Sequence, residues 1–221
     1  MNFDDAYANA AYIDGADAYP PRWVAAADRF RQDLGARARL DIPYGPSDRQ
    51  MFDLFDPVAP PKGTLIFVHG GYWKAFDKSV WSHFAAGALA HGWRVAMPGY
   101  DLCPDVRISQ ITAQIADAVR EIAAQTSGEI TLAGHSAGGH LVARMLEDGV
   151  LPHDVRARIT RVAPISPLSD LRPLMHTSMN DTLGLDPSEA VSESPINIPR
   201  PKGTEVAVWV GANEGPVFLE Q

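Results

Sequence analysis

Apolar positions along the chain fall into two alternating kinds of run. One kind is short and continuous: Thr64–Val68, Trp93–Met97, Glu129–Ala133, Ile159–Ile165 and Glu205–Val210. Runs of that length predict strands buried on both faces. The other kind is longer, with apolar residues three and four apart. Ile108, Ile111, Ile115, Val119 and Ile122 mark the best predicted helix, Ile108–Gln125, and Ser79–His91 and Gly138–Glu147 carry weaker versions of the pattern. Trp23, Ala26, Ala27, Phe30 and Leu34 predict an amphipathic helix over Arg22–Leu34, with Gly35 placed to stop it. The pattern leaves open whether that helix packs on the main body or lies as a lid over a site.

Two more short strands are predicted at Ala38–Ile42 and Gln50–Phe55, followed by a turn at Asp56–Gly63, whose prolines cannot donate to a ladder. Residues up to Pro20-Pro21 show no period and predict an irregular arm. The stretch Pro167–Gly203 is rich in proline and polar residues; a connection of that length is functional or carries short helices of its own. Strand and helix alternate from residue 64 to 165. The expectation is therefore one α/β domain over residues 1–221, with a mostly parallel central sheet and helices on both faces.

Composition narrows the function classes. At 221 residues, 46% apolar, the chain can fill a sizeable core. A net charge of −8 argues against nucleic-acid or anionic-membrane partners, which reward a basic face. The single cysteine, Cys103, excludes an internal disulfide and lacks a local activating pattern, so it reads as a packed, inert thiol. The N-terminus has neither a basic n-region nor an apolar h-region, and no apolar run approaches the roughly 20 residues of a bilayer span. The expectation is a soluble, cytoplasmic protein acting on a small molecule. A homodimer is among the assemblies the sequence allows.

The chemistry concentrates in two segments. Gly134-His135-Ser136-Ala137-Gly138 is a G-x-S-x-G pattern between a predicted buried strand and a predicted helix, the context that a nucleophile elbow requires. Side chains at 134 and 138 would collide across so sharp a turn, and the following helix presents N–H groups to developing negative charge. The bare pattern also fits a glycine-rich turn that only connects two elements. The second segment is His69-Gly70-Gly71-Tyr72-Trp73, directly after Thr64–Val68. Acyl transfer needs two or more N–H donors aimed at the oxyanion: Ala137 is positioned to give one, and Gly70 and Gly71 let a second strand of backbone come close. Removing one such donor costs about 3–4 kcal/mol in the barrier. Tyr72 and Trp73 are candidates to flank an aromatic leaving group, although aromatics there as often belong to the core. His69 reads as a prop for the loop. His135 and His140 read as local packing, and no spacing suggests a metal site.

These segments resemble the kynurenine formamidase (arylformamidase) branch of the α/β hydrolases. The family's H-G-G-x-W matches His69–Trp73 and its G-H-S-A-G-x-H-L matches Gly134–Leu141. Tyr100-Asp101-Leu102-Cys103-Pro104, Ser169–Leu174 and Val210–Phe218 add to the likeness. The resemblance implies an α/β-hydrolase fold, Ser136 as nucleophile, Glu214 in the place of the triad acid (usually Asp), no cofactor, and hydrolysis of N-formylkynurenine to kynurenine and formate. It also implies a triad histidine after the acid, yet the last histidine here is His176. The expectation is that this histidine lies beyond Gln221, with His176 acting from a rearranged position, or an inactive descendant, as alternatives. The rivals are a short-chain carboxylesterase and a non-catalytic hydrolase-fold binding protein.

Overall fold

A computed structural model describes residues 2–199 and 201–220. Its centre is a seven-stranded sheet in the order β1-β2-β4-β3-β5-β6-β7. The strands are β1 (Ala38–Pro43), β2 (Met51–Phe55), β3 (Gly63–Val68), β4 (Arg94–Pro98), β5 (Glu129–His135), β6 (Ile159–Ile165) and β7 (Glu205–Val206). The hairpin β1–β2 and the pair β2–β4 are antiparallel; every other pairing is parallel. The predicted mostly parallel sheet is therefore present.

Period-two alternation in the strands builds two cores. Ile66 and Val68 of β3, Ile130 and Leu132 of β5 and Ala96 of β4 face one cluster. That cluster is filled by α4 (Ile108–Gln125), α5 (Ala137–Arg144) and α6 (His153–Arg158); earlier in the chain come α1 (Phe3–Ala6), α2 (Tyr19–Leu34) and α3 (Ala85–Ala90). Phe67, Ala133, Val95 and Met97 face the opposite side, against Trp81 and the apolar stripe of α2 formed by Trp23, Phe30 and Leu34. The amphipathic N-terminal helix thus packs on the body of the sheet and is not a lid, because its stripe is consumed by that second core.

Several boundaries differ from the pattern's reading. Helix α2 starts three residues before Arg22, with Pro20 and Pro21 in its first turn, where a missing N–H costs nothing. The predicted helix Ser79–His91 divides into a 3₁₀ stretch, Lys78–Phe84, and α3. Helix α6 was invisible because it buries only Val155. The arm before α2 holds α1 and two 3₁₀ turns rather than irregular chain. The segment 167–203 carries α7 (Asn180–Leu183) and α8 (Pro187–Ser192), and α9 (Pro216–Leu219) follows β7. Strand β7 is shorter than the predicted Glu205–Val210. Beyond Val206 only a single bridge, Ile165 to Trp209, continues the ladder, and Val208 and Trp209 are 61% and 68% exposed. No described helix is long and apolar enough to cross a membrane.

Strands β3 and β5 are neighbours, with Val68 opposite Gly134, while β4 lies on the far side of β3 and β6 on the far side of β5. The order in which strands are added across the sheet therefore reverses between β3 and β5, which themselves run parallel. Their carboxyl ends form the crevice where open α/β sheets bind ligands.

Candidate active site

At the end of β5 the backbone turns directly into α5. Ser136 occupies that corner with φ 56° and ψ −119°, a conformation that side-chain-bearing residues rarely adopt. Close packing of backbone on backbone holds it there. A Cβ on Gly134 would come within 2.2 Å of the Gly138 carbonyl oxygen, and one on Gly138 within 2.0 Å of the Val68 carbonyl oxygen. The Ser136 N–H donates to Ile165 O at 2.8 Å, tying the corner to the end of β6. Ser136 is half-buried, so its side chain is accessible, and Ala137 is the first residue of α5, whose N–H has no partner inside the helix.

The loop after β3 approaches the same corner. A Cβ on Gly70 would lie 3.1 Å from Ser136 Cβ, so Gly70 touches the serine directly. Gly71 sits at φ 125°, where a Cβ would fall 2.3 Å from the Ala75 carbonyl oxygen. Tyr72 and Trp73 follow at φ 49° and 55°, an unusual pair of left-handed aromatic residues. The structure thus brings together Ser136, Ala137, Gly70 and Gly71.

Two buried histidines hold this loop. His69 stacks on Tyr100 at 4.4 Å, its Nδ1–H donates to Gly70 O at 2.7 Å, and Tyr100 donates to the His69 carbonyl at 2.9 Å. Burial pulls the His69 pKa down to about 4, which keeps the ring neutral. Its Nε2 is buried and unpartnered among the described residues. His140, on α5, accepts from Trp73 Nε1 through Nδ1 at 3.2 Å and donates from Nε2 to Glu193 O at 2.7 Å. Those two partners fix one neutral tautomer, and burial lowers this pKa to about 3. Both nitrogens of His140 are thus committed, and burial makes His69 a weak base.

The two aromatic candidates part company. Trp73 is fully buried, with its indole N–H committed to His140, so the structure assigns it to the core beneath the loop rather than to a face met by substrate. Tyr72 is half-buried, and its hydroxyl donates to Tyr7 O at 2.7 Å. That contact reveals an element the sequence reading missed, because the N-terminal arm flanks the site. Tyr7 packs edge-on against Phe218 at 6.1 Å, Phe3 tilts over His176 at 5.5 Å, and Ser178 N–H donates to Asp4 at 2.6 Å. Long-range contacts of this kind leave no period in the sequence.

Glu214 stands in the turn between β7 and α9. Its Oε1 accepts from the Ser166 hydroxyl and from the Gly211 N–H, the latter at 2.9 Å. Its charge is felt by His135, whose pKa is lowered by burial and only partly restored by that carboxylate. Among the described residues no histidine ring is hydrogen-bonded to Ser136 or Glu214. The exposed His176 packs on Phe3 instead. An apolar groove walled by Ala143, Leu146, Pro164, Val206 and Val208 contains none of the site residues. The described residues hold no cluster of three or more metal-ligating side chains.

Comparison with known proteins agrees with this geometry. Residues 65–193 match the family described as alpha/beta hydrolase fold. Kynurenine formamidase of Danio rerio is 28% identical over 91% of this chain, which spans 77% of that protein. The Salmo salar protein of the same name is 31% identical over 84% of the chain, which spans 66% of it. A crystal structure from Silicibacter sp. TM1040, named as a candidate thioesterase, is 60% identical and superposes with a TM-score of 0.97. It is matched over 100% of this chain and 84% of its own. Sheet order, the strained serine at the β5–α5 corner and the sequence match over more than half its length together establish that the chain belongs to the alpha/beta hydrolase fold family.

Proposed function

We propose that this protein is a serine hydrolase of the kynurenine formamidase type, which cleaves the formyl C–N bond of N-formylkynurenine to give kynurenine and formate. The observation that carries the reading is the backbone of Ser136, held at φ 56° against Gly70 of the loop after β3. The relatives named kynurenine formamidase supply the substrate class.

In this reading Ser136 Oγ attacks the formyl carbon, and the carbonyl oxygen becomes an oxyanion received by the N–H groups of Ala137 and Gly71. The tetrahedral intermediate collapses by breaking the C–N bond, the aromatic amine leaves with a proton, and water then releases formate from the serine ester. Glu214 orients and charge-stabilises the histidine that moves these protons. The described residues do not supply that histidine, since His69 and His140 are neutral props and no described histidine bridges Ser136 and Glu214. Ser136→Ala in the full-length protein is expected to lower kcat by about five to six orders of magnitude. Turnover at the parent rate would overturn the reading.

A second reading is favoured by the 60% identical relative named as a candidate thioesterase. The same elbow and oxyanion loop would serve an acyl thioester. Comparing kcat/KM for N-formylkynurenine, short acyl thioesters and p-nitrophenyl acetate separates the two, and a preference of tenfold or more for the formamide is expected. A preference of that size for thioester or ester would replace the formamidase assignment.

A further inference from the structure

We propose that Ser166 is a positioning residue that aims the Glu214 carboxylate, a role that rests on the serine-hydrolase reading above. Ser166 is the first residue past β6, held at φ 45° and 3% exposed. Its N–H donates to Trp209 O at 2.6 Å, and its hydroxyl donates to Glu214 Oε1. A glycine would adopt this backbone with less strain, so what serine adds at this position is the hydroxyl.

The two strained serines are structurally coupled. Ser136 and Ser166 end the neighbouring parallel strands β5 and β6, where His135 pairs with Ile165 and the Ser136 N–H donates to Ile165 O at 2.8 Å. The residue that grips the carboxylate is thereby one peptide unit from the residue that anchors the nucleophile.

Chemistry gives the grip a purpose. Glutamate has one more rotatable bond than aspartate, so a glutamate acid needs more restraint to point in one direction. Two donors, the Ser166 hydroxyl and the Gly211 N–H at 2.9 Å, converge on Oε1 alone. Oε2 accepts no hydrogen bond among the described residues and is left as the oxygen to receive an imidazole N–H. Charge-assisted bonds of this type are the strong ones, and their loss frees the side chain to rotate.

The test uses the full-length protein with N-formylkynurenine. Ser166→Gly removes the hydroxyl and relieves the backbone, so Tm should hold or rise while kcat falls on the order of tenfold to a hundredfold. KM should stay within about twofold, because the acid acts on the chemical step and not on ground-state binding. A hydroxyl that merely filled a buried position would move Tm and leave kcat alone. In a Glu214→Gln background the same substitution should lower kcat by less than about twofold, since residues acting as a unit are not additive. Should Ser166→Gly loosen the turn and lower Tm, Ser166→Ala must show the same loss of kcat. An unchanged kcat, or an equal loss in both backgrounds, overturns the proposal. Ser136→Ala, run alongside, separates the failures: an active Ser136→Ala sinks the hydrolase reading, whereas an inactive one beside a fully active Ser166→Gly sinks only the role of Ser166.

Discussion

The two halves of the candidate site are held by different physics. On the nucleophile side, the corner at Ser136 is fixed by backbone packed on backbone, with Gly134 against Gly138 and Gly138 against Val68. On the acid side, the turn carrying Glu214 is fixed by side chains from distant segments: Ser166 on its carboxylate, Tyr7 against Phe218, and Tyr72 on the Tyr7 carbonyl. The first arrangement has no slack, since a methyl group cannot be inserted at any of its glycines. The second is a set of individual contacts, each removable at modest cost. A nucleophile in a strained conformation needs the former, and a carboxylate that must accept a partner can be served by the latter.

The sharpest way to break this contrast is a single methyl group in the corner. Gly138→Ala would put a Cβ 2.0 Å from Val68 O and 2.6 Å from His69 O, both backbone atoms that cannot swing away. The expected result is a loss of at least about 4 kcal/mol of stability together with all hydrolytic activity. Urea denaturation and a formamidase assay check both. A well-folded, active Gly138→Ala would mean that the corner has slack after all.

The same contrast explains what the sequence revealed. G-x-S-x-G at 134–138 and the two glycines at 70–71 are local signatures, because a tight turn leaves its demand on the residues that make it. The apolar runs of β3, β4 and β5 were legible for a similar reason, since a strand covered on both faces is apolar along most of its length, whereas the run at Glu205–Val210 misled: β7 ends at Val206 and both its residues are exposed. Ser166 carried no signal, because its backbone and hydroxyl partners, Trp209 and Glu214, lie 43 and 48 positions downstream and reach it only in the fold. The arm 2–18 read as irregular because its apolar residues, Phe3 and Tyr7, match partners at 176 and 218 rather than one another. For Trp73 the sequence left two places open, beside the leaving group or in the core, since nothing local tells that its N–H is spoken for by His140, 67 residues away.

Acid pH offers a graded version of the first test. His69 and His140 both brace the nucleophile side, and burial lowers their pKa values to about 4 and about 3 from an ordinary 6.5. The unfolded chain therefore binds protons below pH 6.5 that the folded chain refuses, and stability falls as pH drops from 6.5 toward those lower values. Each ring contributes a slope of roughly 1.4 kcal/mol per pH unit in that window, so the pair costs on the order of 3–4 kcal/mol between pH 6.5 and 5. Urea midpoints at pH 7.5, 6 and 5 measure it. His140→Gln, which cannot titrate, should roughly halve the slope; an undiminished slope would remove His140 from the account.

The smallest expected effect probes the acid side through a single hydroxyl. Tyr72→Phe deletes the donor to Tyr7 O and leaves the loop's backbone as it was. One neutral hydrogen bond contributes about 1 kcal/mol, which corresponds to roughly a fivefold change in a local opening equilibrium. Because Tyr7 also packs on Phe218, and Gly215 lies beside the Ala6 carbonyl, that change should spread to the turn around Glu214. Native-state hydrogen exchange is expected to show faster exchange of amides at 3–7 and 214–218, with those at 134–142 unaffected. If protection instead fell equally in both regions, the arm would be bracing the whole site, and the division between a backbone-locked nucleophile and a side-chain-held acid would be wrong.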